Sequence, residues 1–184
     1  MVGQLLASLI IVKLHSASLW GDYVQNLILA NFILLIAGFG SRDFVIKKTS
    51  DKSFLSTNVW SSSLILRFYI FCISIFIFLV FDWFSISAQI VLFWTLSTYL
   101  SNSFNSLIIL EKTFKLSLFQ EVITALVFLS FILFSINELT TEKIVTYSII
   151  SQALRLPFYF YYFRKYLRFK NVFLPNISLI KGHL

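Results

Sequence analysis

The stretch that most constrains this chain runs from Trp20 to Ser50, WGDYVQNLILANFILLIAGFGSRDFVIKKTS. An aromatic residue and an acid, Trp20 and Asp22, stand at one edge. A mostly apolar run of helical length follows and closes at Gly38–Phe39–Gly40, with Arg42, Asp43, Lys47 and Lys48 directly after it. About 20 apolar residues form a helix of about 30 Å, the thickness of a bilayer's hydrocarbon. Aromatic residues settle at the membrane interface and Lys or Arg on the cytoplasmic side. The stretch therefore predicts one membrane span with its outer belt and its inner anchor, and it orients the rest of the chain.

The remaining sequence agrees with a membrane class. Of 184 residues, 58% are hydrophobic and 12% are charged, too few polar groups to cover a small domain in water. The net charge of +7 does not point to nucleic acid. Eleven of the fifteen Lys and Arg fall in three segments, Arg42 to Lys52, Lys112 with Lys115, and Arg164 to Lys181. Nearly uncharged connections alternate with them, as the positive-inside rule requires. Cys72 is the single cysteine and lies in an apolar run, so it reveals nothing of the redox compartment. Met1 to Val12 lacks both a basic start and a small-residue cleavage site, which argues against a removable signal peptide.

Six spans are expected: Met1 to about Leu14, Trp20 to Gly40, Ser61 to Phe81, Ile86 to Leu110, Ser117 to Ile136 and Ile144 to Phe163. This is an all-α, polytopic helical bundle. Residues 1–163 form the bundle, and residues 164–184 a basic cytoplasmic tail or the start of a linker. Both termini would face the cytoplasm. The first span is short unless it recruits residues through Leu19; Lys13 and His15 at its end either snorkel to the interface or face a polar cavity. The loop after span 2 has the pattern of an amphipathic helix lying in the head groups.

Polar residues inside the spans are the functional candidates. Asp22 and Asn26 share a face, with Asn31 deeper. Arg67 lies roughly 9 Å in from the basic side of span 3, within reach of snorkelling or of an inward anion contact. In span 4, Thr98, Asn102 and Asn105 make one stripe, with Ser101 and Ser106 beside it, as interhelical glue or as a cavity wall. Arg155 lies roughly 12 Å deep beside Pro157, which frees the Ala153 carbonyl. It is either a functional cation or the partner of Glu121 in a structural ion pair across the hairpin of spans 5 and 6. Two His and one Cys offer no metal set, no phosphate-binding glycine loop is present, and the eight acids are scattered. No enzyme, cofactor or metal is expected.

One resemblance adds to this reading. WGDYVQNLILANFILLIAGFGSRDFVIKKTS followed by LILRFYIF, and later ILEKTFKLSLFQEVI, is similar to polysaccharide-biosynthesis membrane proteins. These are the O-antigen and lipid-linked oligosaccharide flippases of the multidrug/oligosaccharidyl-lipid/polysaccharide exporter superfamily. Gly21, Tyr23, Gly40, Lys47, Lys48 and Arg67 carry the pattern. The resemblance implies a bacterial inner-membrane transporter with two six-helix lobes, of which this chain would be the N-terminal one, with a second lobe or a homo-oligomer as partner. It implies a polyprenyl-diphosphate-linked glycan as cargo, Arg67 and Arg155 as cations for the diphosphate, and Asn102 and Asn105 as contacts to sugar. Membrane lipids are the other partner. The competing readings are a non-transporting membrane bundle (a pseudogene remnant or assembly subunit) and a drug exporter of the same superfamily.

Overall fold

The computed structural model describes residues 2–38, 41–50, 56–81, 83–84 and 86–167, and every regular element in it is helical. Gly40 and the basic tail beyond Leu167 lie outside the described residues.

The first half holds α1 (Val2–Leu14), α2 (Ala17–Gly38), α3 (Ser41–Ser50) and α4 (Ser56–Val80). The second half holds α5 (Ala88–Ser103), α6 (Asn105–Leu110), α7 (Phe114–Phe134), α8 (Thr141–Ala153) and α9 (Arg155–Tyr162), with single 3-10 turns at Ile136–Glu138 and Arg164–Tyr166. Among the described residues, three helices are long and apolar enough to cross a membrane, those built around α2, α4 and α7. The expected spans 4 and 6 are each divided in two, at Phe104 and Leu154.

In α2 the buried residues are Tyr23, Asn26, Ala30, Ile33 and Ala37. Their spacing of three and four is the period of one helix face, and the two alanines let neighbouring helices come close. The opposite faces are apolar as well: Ile28 and Leu35 on α2, Ile73 and Phe76 on α4 and Leu126 on α7 are all exposed. A helix that is apolar all round has no water-facing side, which fits an acyl-chain environment.

The packed interior has two parts. The larger cluster joins α1, α2, α4, α5, α7 and α8 through residues such as Ile11, Ile33, Phe71, Trp94, Ile132 and Ile144. The smaller is largely aromatic and lies where α3, the start of α4, α6, α9 and the last 3-10 turn meet. Trp60, Phe104, Tyr159, Phe163 and Tyr166 form it, with Phe104 5.7 Å from Trp60, 5.3 Å from Tyr159 and 5.8 Å from Phe163, centroid to centroid. The Trp60 indole N–H donates to the Ser103 carbonyl at 3.0 Å, at the last residue of α5. The helix break at Phe104 is thus wrapped in aromatic packing.

This is also the basic end of the molecule. Arg42, Lys112, Lys115, Arg164 and Lys165 are all exposed there. Lys165 bridges Glu111 at 2.7 Å, and the Tyr166 hydroxyl bonds the same carboxylate. Glu111 closes α6, and Lys112 after it has φ 54°, the left-handed conformation usually given to glycine. The Thr113 N–H donates to the Ile108 carbonyl at 2.9 Å and the Lys112 N–H to the Ile109 carbonyl at 3.1 Å. Those two bonds form a Schellman cap that consumes carbonyls the helix end would otherwise strand.

Candidate functional site

Hydroxyls in these helices mostly answer to their own backbone. Thr95, Ser97 and Ser103 on α5 each donate to the carbonyl four residues earlier, at 2.8 Å. Such bonds hide polarity within the helix and create no site. The candidate site is where side chains reach beyond their own helix.

They do so around a cavity of about 550 Å³ between α1, α2, α5, α7 and α8, with Arg155 at the start of α9 on its wall. Leu6, Val122, Leu126 and Phe128 give it apolar surface, and ten polar residues line the remainder with them. From α5 come Thr98, Ser101 and Asn102. The Thr98 hydroxyl lies 2.6 Å from Gln152 Oε1 on α8, and the Gln152 amide donates to the Ser148 hydroxyl at 3.2 Å. Tyr23 of α2 lines the same wall. The Ser101 hydroxyl is buried with no partner, though it stands in the cavity wall. An orphaned buried hydroxyl is costly unless something else meets it.

Arg155 and Glu121 are the two charged residues among those lining the cavity. The ion pair, one of the two readings of Arg155, is not formed: neither Lys143–Glu138 nor Lys165–Glu111, the ion pairs seen between described residues, involves Arg155 or Glu121. Arg155 instead donates its Nε–H to the Thr124 hydroxyl at 2.7 Å, and Thr124 donates onward to the Gln120 carbonyl at 2.6 Å. The reason is helical geometry. Glu121 and Thr124 are three residues apart and share the α7 face that meets Arg155. Thr124 is the buried member of the two and Glu121 the exposed one, so the guanidinium is fixed by the shorter side chain. With Nε committed to Thr124, the terminal nitrogens remain for a ligand in the cavity.

The other sequence candidates separate. Asn102 lines the cavity, whereas Asn105 does not. The break at Phe104 interrupts the register that put both on one stripe, and Asn105 becomes the exposed first residue of α6. Arg67 is 9% exposed and lies outside the cavity. Its Nε–H donates to the Ser63 carbonyl one turn back at 3.2 Å, and its guanidinium carbon lies 6.0 Å from the Tyr99 ring centroid. Tyr99 in turn donates to the Leu64 carbonyl at 2.8 Å. Asn26 is buried and bonds the Asp22 carbonyl at 2.7 Å, while Asn31 is exposed. Lys13 is exposed and is not part of the polar wall.

Sequence reasoning did not single out Thr124 or Ser148. The one available signal was the buried row Gln120, Thr124, Phe128 and Ile132 on α7, which puts two polar residues into an otherwise apolar stripe. Among the described residues no group of three His, Cys, Asp or Glu is placed to hold a metal. The wall offers hydrogen bonds, one fixed guanidinium and one carboxylate.

No family model, no curated protein and no solved structure matches this chain.

Proposed function

We propose that this chain is a membrane-embedded helical lobe that holds the polar head of an amphiphile between its helices as the molecule crosses the bilayer. The observation that carries this reading is the polar cavity. Ten hydrogen-bonding or charged side chains face one space within a bundle whose outward faces are apolar. In hydrocarbon such a wall is stable only around water or a polar ligand. An acyl or prenyl tail would stay with the lipid while its head occupied the cavity.

The resemblance at Trp20 to Arg67 suggests the class of cargo, a polyprenyl-diphosphate-linked oligosaccharide, and a bacterial inner membrane with the basic end in the cytoplasm. Six spans follow on this reading if α5 with α6, and α8 with α9, each cross as one broken helix. Arg155 is the cation for the phosphate, since a guanidinium meets phosphate oxygens through a planar fork. Asn102 and Ser101 contact hydroxyls.

The test is transbilayer movement of a fluorescent polyprenyl-diphosphate sugar in proteoliposomes, with and without a co-reconstituted second lobe. Acceleration that Arg155→Ala abolishes at equal protein density is the expected result. Equal movement in wild type and Arg155→Ala would remove the cavity from the transport path.

A further inference from the structure

The cavity wall carries one positive and one negative side chain, and they do not neutralise each other. Arg155 enters from α9 and is held by Thr124; Glu121 enters from α7 and takes no ion-pair partner among the described residues. Inside a bilayer, where the proposed function places this wall, opposite charges left apart are balanced by whatever lies between them. A diphosphate alone would satisfy Arg155 and be repelled by the Glu121 carboxylate. A simple ammonium would satisfy Glu121 and be repelled by Arg155. Only a molecule with both charges suits both walls. Ser101 adds an independent sign that a polar ligand is meant to be there, because this residue of the wall is 7% exposed and its buried hydroxyl has no partner.

We propose that the head group this cavity recognises is zwitterionic, with a phosphate against the terminal nitrogens of Arg155 and an ammonium against Glu121. Amino-alcohol phosphates and amino-sugar phosphates belong to this class. Asn102 and Ser101 then take the hydroxyl or ester oxygens between the two charges. The proposal rests on the reading of the cavity as a head-group site and narrows it from any phosphate-bearing head to one that also carries an ammonium.

The experiment is calorimetric titration of the full chain in maltoside micelles with phosphoethanolamine, inorganic phosphate and ethanolamine, and in parallel with phosphatidylethanolamine or phosphatidylglycerol added to the micelles. Phosphoethanolamine or its lipid is expected to bind at least tenfold more tightly than phosphate, ethanolamine or phosphatidylglycerol. Binding of the free head group supports a soluble source, and binding of the lipid alone supports a membrane source. Glu121→Gln should erase the preference while phosphate binding persists, and Arg155→Gln should abolish both. Phosphate or phosphatidylglycerol binding as tightly as the zwitterion, or Glu121→Gln tightening the zwitterion, overturns the proposal and leaves the head-group site standing. No binding of any probe to protein that is folded by circular dichroism overturns the site as well.

Discussion

Arg67 and Arg155 present the same signal in the sequence, a lone arginine deep in an apolar helix, and the structure gives them opposite surroundings. Around Arg67 everything is packed: its Nε–H turns back to its own helix, Tyr99 covers it, and the aromatic cluster of Trp60, Phe104 and Phe163 closes the end below. Around Arg155 the helices stand apart, and a threonine on another helix holds the guanidinium at a cavity wall. None of the smaller cluster's buried residues lines that cavity, whereas Tyr23 and Phe128 of the larger one do. Depth in an apolar run therefore does not by itself bring an arginine to a cavity. What distinguishes the two is whether the Nε partner belongs to the same helix or to a facing one. The first arrangement buries the fork, and the second aims it.

Substitutions should separate the regions, with stability failing in one and binding in the other. The largest effect is expected at the aromatic end. Trp60→Ala removes a fully buried indole and its bond to Ser103, a loss of about 3–5 kcal/mol for a side chain of this size. Denaturant unfolding in micelles measures it, and a loss below about 1 kcal/mol would show the cluster to be loosely packed. In the cavity region, Thr124→Val keeps the volume and removes the hydroxyl that aims Arg155. Head-group binding should weaken about tenfold, or about 1.4 kcal/mol, with a smaller change in unfolding. A loss of stability with binding intact would reverse the contrast.

Smaller effects test how the packed end is closed. Lys112→Gly relieves a left-handed residue and should raise stability by about 1 kcal/mol, visible as a shift in the unfolding midpoint. The clamp of Glu111 with Lys165 and Tyr166 should be felt least, since Lys165 is exposed. The Lys165 ammonium and the Tyr166 hydroxyl hold the Glu111 carboxyl below its ordinary range, and Glu111 holds Lys165 above its own. A lowered carboxyl pKa contributes stability above its unfolded value and loses it as pH falls through the folded one. A raised ammonium pKa contributes below its unfolded value and loses it as pH rises through the folded one. The advantage of wild type over Glu111→Gln in thermal midpoint should therefore hold between these limits and vanish at acid and strongly alkaline pH. A difference that does not vary with pH would assign the role of Glu111 to packing.

Much of this contrast was legible in the sequence and part was not. Apolar length announced α2, α4 and α7, and depth beside Pro157 announced Arg155. The break at Phe104 carries no glycine or proline and arises from aromatic packing supplied by α4 and α9, which no local pattern reveals. Its consequence is that Asn105 leaves the stripe that Thr98 and Asn102 keep. The ion-pair alternative for Arg155 fails for a related reason. Glu121 and Thr124 lie on one face, and charge complementarity favours Glu121, but packing brings Thr124 into reach. Sequence spacing identifies a face; only the facing helix decides which residue on it is touched.

The central claim is that a polar, accessible cavity opens beside Arg155 between helices whose outward faces are apolar. Its most direct test is thiol labelling in proteoliposomes, using Cys72→Ala to remove the native cysteine and a charged, membrane-impermeant maleimide. Asn102→Cys lies in the cavity wall, and Phe93→Cys lies on an outward apolar face of the same helix, where the native side chain is 65% exposed. The account predicts rapid labelling at Asn102→Cys, protection there by phosphoethanolamine, and no labelling at Phe93→Cys. An Asn102→Cys thiol as inert as the one at Phe93→Cys would contradict it.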